Sequence, residues 1–242
     1  MALDVYVMPL WRFKVGDFRS PIEIMTGIRP KVVTPGVEEQ ESRGWFSWFR
    51  RPRQSEPDTD TVIARAKQQV EAIRREVESE NKASIEWYDE GDVVYAAQSA
   101  GFEPLRAYAR WFDCREQLPG FGPPPEGDYY KHPVMTAEVG QLSCPHLVEH
   151  DCYSGYYLPC EFERLVEVEP YLIFGQWPAS RSVGSAPRLL RELVFVQSEL
   201  QASEGQGGPT DGPLAEVKAA YLQMREVAEL SSRHGLPIIF WG

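Results

Sequence analysis

The period of the apolar residues changes repeatedly along this chain, and that limits its fold more than any motif does. At the start, "LDVYVM" (residues 3–8) alternates, placing Leu3, Val5 and Val7 on one face of a strand and Asp4, Tyr6 and Met8 on the other. From Thr59 the spacing lengthens. Val62, Ala66, Val70, Ile73 and Val77 form one apolar stripe, which predicts an amphipathic helix to about Glu80. Thr59 or Asp60 can cap its start, and Glu71 precedes Arg75 in the favourable i, i+4 order. "GDVVYAAQSAG" and "EPLRAYARWFDCRE" read as two further helices broken at Gly101, the second with Leu105, Tyr108 and Phe112 on one face.

"FERLVEVE" and "YLIFGQW" read as strands, and "PASRSVGSAP" as a turn. The turn leads into a helix marked by Leu189, Leu193, Val196 and Leu200, with Ser185 as its N-cap and Pro187 in its first turn. A last helix carries Leu214, Val217, Tyr221, Met224 and Ala228, and "LPIIFW" closes the chain as a strand. This mixture predicts one α+β domain over residues 1–242, a small, mostly antiparallel sheet packed by several helices. Residues 30–60, with prolines at 30, 35, 52 and 57, read as a loop insertion, and 117–133 and 202–212 as flexible loops.

Charge narrows the partners. With 25 basic and 36 acidic residues the net charge is −11, and nucleic acid is excluded as a partner because its binding needs a cationic surface to displace counterions. An acidic protein suits a basic protein partner, as an immunity or antitoxin protein does. No long apolar run predicts a membrane span, and the opening residues do not read as a signal peptide. Cys114, Cys144, Cys152 and Cys160 are therefore expected as free thiols in the cytoplasm. Within the insertion, Trp45, Phe46, Trp48 and Phe49 precede Arg50, Arg51 and Arg53, which suits either an interaction patch or rings folded back over the core.

The densest chemistry lies in "CPHLVEHDCYSGYYLPCEF", residues 144–162. Pro145 suits a first helical position and Gly155 a stop, so 145–154 reads as a short helix with His146 and His150 on one face. Cys144, His146, His150 and Cys152 offer the nitrogen and sulfur donors that zinc prefers. "HLVEH" also fits H-x-x-E-H, in which Glu149 would activate water for a metal-dependent hydrolase. Against a structural zinc site, four ligands within nine consecutive residues can rarely converge tetrahedrally. The competing expectation is a structural corner with no cofactor.

On His150, Gly155, Tyr156, Tyr157, Pro159 and Phe162, this stretch resembles a family of uncharacterised bacterial proteins carrying an H-x4-G-Y-Y-x-P-x-x-F block. "LDVYVMPLWRFKVGDF" and "SVGSAPRLLREL" are similar to two further blocks of that family. The resemblance implies a bacterial source and a shared structural device at "GYYLP", and it brings no activity.

Two other constellations could carry chemistry. Arg181, Ser182, Gly184, Ser185 and Arg188 gather around a predicted helix start, which suits an anion or ordinary capping. Glu86, Asp89, Glu90 and Asp92 supply oxygens without the ligand pattern of a calcium loop, and read as a solvated acidic turn. The combined expectation is a non-catalytic module that binds a protein or a small ligand.

Overall fold

The computed structural model describes residues 3–27, 58–117, 122, 131–173, 177–204 and 213–242. Its six strands are β1 (Leu3–Val7), β2 (Tyr95–Ser99), β3 (Ser154–Leu158), β4 (Val166–Ile173), β5 (Trp177–Ser185) and β6 (Ile238–Trp241). They form one sheet in the order β2-β1-β6-β3-β5-β4, antiparallel throughout except for the parallel pair β3 and β5. The two ends of the chain meet near its centre, with Val5 opposite Phe240. The fold is α+β, as its alternating periods predict.

Helices cover both faces. α4 (Glu103–Cys114), α5 (Pro145–Val148), α6 (Ala186–Glu204) and α7 (Pro213–His234) pack on the face that carries Leu3, Val5, Val7, Tyr157, Ile238 and Phe240. α1 (Leu10–Val15) and α3 (Thr59–Asn81) close the face of Tyr6, Tyr156, Leu158, Val183 and Ile239. The predicted split of β1 between its two faces is thus observed. The α3 stripe is also observed, with Ala66, Val70, Ile73 and Val77 buried. A short α2 (Pro21–Thr26) has a full capping box, Ser20 and Glu23 each bonding the other's backbone N–H. Among the described residues, no helix is long and apolar enough to cross a membrane.

Three local expectations are corrected. Residues 91–101 contain the edge strand β2, not a helix. The ladder to β1 (Leu3 opposite Ser99, Val7 opposite Tyr95) overrides the weak helical preference of its alanines. The predicted turn "PASRSVGSAP" lies mostly in β5, whose polar residues are tolerated because β4 places Glu167 and Glu169 beside them. The helix expected over 145–154 stops at Val148, and its remainder turns into β3. Most of the predicted 30–60 insertion and of the 117–133 and 202–212 loops lies outside the described residues. Of the last, residues 202–204 continue α6.

Candidate functional site

The Cys/His block is a buried corner joining α5, β3 and α6. Ser185 N–H donates to His146 Nδ1 at 3.0 Å, so the ring proton sits on Nε2, which meets the Glu163 carbonyl at 2.9 Å. Both ring nitrogens of His146 are therefore occupied, and burial lowers its pKa. His150 is wholly buried, and its Nε2 lies 3.0 Å from the Tyr156 carbonyl. Its ring stacks on Tyr157 at 4.0 Å, and burial pulls its pKa down to about 3. Among the described residues its Nδ1 meets no hydrogen-bond partner. Two glycines make room for this stack. A Cβ on Gly184 would lie 2.6 Å from the Tyr157 ring, and one on Gly155 would lie 2.4 Å from the Ser182 carbonyl.

Glu192 of α6 anchors the corner. Its two carboxylate oxygens accept from His146 N–H (3.1 Å) and Leu147 N–H (2.8 Å) at the start of α5. Burial outweighs these bonds and raises its pKa to about 7. Arg106 closes the other end of α5 with two bonds to the Val148 carbonyl. The Cys144 thiol points at the Glu192 carbonyl, and Cys152 lies near Arg106. Burial pushes the Cys152 thiol up to about 11 and the Cys160 thiol to about 12, which leaves them poor nucleophiles and ligands. Glu149 is exposed, apart from both imidazoles' partners. Among the described residues, no group of three or more His, Cys, Asp or Glu side chains could hold a metal ion.

Most of the Arg181–Arg188 constellation is likewise spent on structure, the Arg188 guanidinium excepted. Arg181 reaches Glu169 at 3.1 Å, and Ser182 Oγ donates to Glu167 while accepting from Asp151 N–H. Gly184 lies under Tyr157. Ser185 Oγ accepts from Arg188 N–H at 3.2 Å, the predicted N-cap, and donates to the Cys160 carbonyl. The acidic turn divides too: Asp89 accepts from Leu10 and Trp11 N–H, Glu90 pairs with Lys67, and Asp92 with Arg12. Trp45, Phe46, Trp48 and Phe49 lie outside the described residues.

One polar cluster has no signal in the sequence because its members are far apart in the chain. Glu169, at a bulge in β4 with φ of 51°, binds Lys14, Tyr156 OH (2.9 Å) and Arg181. These cationic and hydroxyl partners hold its carboxyl below the usual range even though burial pushes the other way. The cluster ties α1 to β3, β4 and β5.

Several acids on the surface have no partner among the described residues. Asp60, Glu76 and Glu80 on α3, Glu86 just after it, and Glu163 before β4 are all exposed. Their side chains make no ion pair or hydrogen bond among the described residues. Glu80, Glu161 and Glu163 line one cleft beside Asn81, together with Lys82 and Arg164. Asn81 itself accepts from the Glu163 and Arg164 N–H groups, which brings the loop's acids to the end of α3. The last turn of α3 has no basic residue, although a helix C-terminus favours cations. Glu80 thus stands where helix electrostatics disfavours a carboxylate, whereas Glu78, one turn from the end, accepts from Ile85 N–H at 2.9 Å.

One family model, described as "Putative DNA-mimic protein", matches residues 1–240. No curated protein and no solved structure matches the chain.

Proposed function

The chain belongs to that family, and from this premise we propose that it is a non-catalytic binding protein whose acidic surface occupies the DNA-binding face of another protein. The match over residues 1–240 carries the reading. The net charge of −11 and the unpaired carboxylates at the end of α3 support it. A DNA-binding face is lined with Lys and Arg that gain affinity by releasing the counterions of the phosphates. A protein surface with rows of carboxylates meets those side chains in the same way. Glu76 and Glu80, four residues apart, are separated by about 6 Å along the helix axis. That is of the same order as the ~3.4 Å rise between successive charges on one DNA strand. The four free thiols suit a reducing compartment, the cytoplasm, where such a partner would be met.

The test is displacement. Purified DNA-binding proteins are loaded singly on an immobilised duplex and challenged with this protein, or with polyglutamate of matched charge. The expected result is release of at least one of them at concentrations where polyglutamate releases none. A partner that stays on the duplex while carrying this protein with it would overturn the reading, as would release that polyglutamate matches throughout.

A further inference from the structure

A cleft of about 490 Å³ opens between α4, the 139–143 loop and the start of α6, with Arg110, Gln141, Ser143, Glu149 and Arg188 in its lining. Most of the polar groups around it are already used. Arg110 donates to the Val134 and Ala137 carbonyls, and Ser143 binds Asp113 through both its N–H and its hydroxyl. Two charged side chains are not. Arg188 stands in the first turn of α6, where a cation opposes the helix dipole. Its backbone N–H goes to Ser185, but its guanidinium makes no hydrogen bond or ion pair among the described residues. Its charge reaches Glu161 and Glu192 only through space, and each is otherwise held, by Arg191 and by the α5 amides. Glu149, just past α5, is exposed and equally without a partner. Arg188 and Glu149 share the cleft without closing on each other.

We propose that this cleft binds a small zwitterion of the α-amino-acid class, its carboxylate on Arg188 and its ammonium on Glu149. A simple anion would gain Arg188 and meet repulsion from Glu149, and a simple cation the reverse. A molecule bearing both charges satisfies the two side chains together, and a planar guanidinium takes a carboxylate through two parallel hydrogen bonds. A cleft of this volume falls within the range of small-molecule sites and leaves room for the ligand's side chain. The inference is independent of the DNA-mimic reading, since it uses neither α3 nor a protein partner.

The full chain is titrated with glycine, L-alanine, L-leucine, L-glutamate and L-lysine by ligand-observed NMR, with propionate and propylamine as single-charge controls. Saturable binding of at least one amino acid is expected, weakened about tenfold or more by Arg188→Gln and by Glu149→Gln separately. Glu149 is exposed and Arg188 half-buried, and a parent-like circular dichroism spectrum with a cooperative thermal transition confirms that each variant is folded. Absence of saturable binding by all five amino acids overturns the proposal. Binding that depends on fewer than both side chains, or propionate binding as tightly as alanine, overturns it equally.

Discussion

At the scale of single residues, the corner under α6 sets two opposed pH responses. The Glu192 carboxyl is raised from 4.5 to about 7 in the fold, so between those values the native state holds more protons than the unfolded chain. Its contribution is fully present below about 4.5 and is lost as pH rises through about 7. His150 behaves in the opposite way. Its pKa falls from 6.5 to about 3, so its contribution is present above 6.5 and declines as pH drops below that. Urea unfolding across this range is expected to show that Glu192→Gln removes the loss of stability toward pH 7. His150→Leu should remove the loss on the acid side, whatever constant offset each substitution adds. The glycine beside this stack is a sharper probe. Gly184→Ala places a methyl group 2.6 Å from the Tyr157 ring and is expected to lower unfolding stability by about 1–3 kcal/mol, read from the urea midpoint. Gly184 was legible in the sequence only as part of an anion loop. That it is a packing glycine depends on Tyr157, 27 positions earlier, standing on the neighbouring strand.

At the scale of elements, α3 gives one face to the sheet and, on the function proposed above, offers the other to a partner. Its apolar stripe covers the sheet, and this half was readable because a 3.6-residue period needs no knowledge of what it packs against. Its outer acids were readable as residues but not as a surface, since nothing local says that Asn81 draws Glu163 toward Glu80. Glu80 lies in the last turn of α3 and repels Glu76 four residues before it, so Glu80→Gln should be more stable by about 0.3–1 kcal/mol and Glu76→Gln by about 0.2–0.5 kcal/mol in thermal unfolding. The same substitutions should weaken the complex with a displaced DNA-binding protein. Variants that lose stability and keep full affinity would show that these acids serve the fold alone. β2 and β5 show the reverse limit. Their segments carry Ala, Ser, Arg and Gly, with little strand preference, and extend because a neighbour offers an open ladder.

At the scale of the whole molecule, the proposed partner interaction is electrostatic and should be sensitive to salt. The logarithm of the affinity is expected to fall linearly with the logarithm of salt concentration, as it does when the same partner binds duplex DNA. A flat dependence, measured from 50 to 200 mM salt, would assign the complex to apolar contacts instead. The net charge that motivates this was fully visible in the sequence, because charge is additive and needs no coordinates. So were the α+β class and the strands at the two ends, because their periods are local. Tertiary structure alone decided that the two ends pair at the sheet's centre, that Glu169 gathers Lys14, Tyr156 and Arg181, and that His146 and His150 turn to separate backbone partners. Those outcomes depend on which distant groups reach one another, and spacing along a chain does not encode distance across a fold.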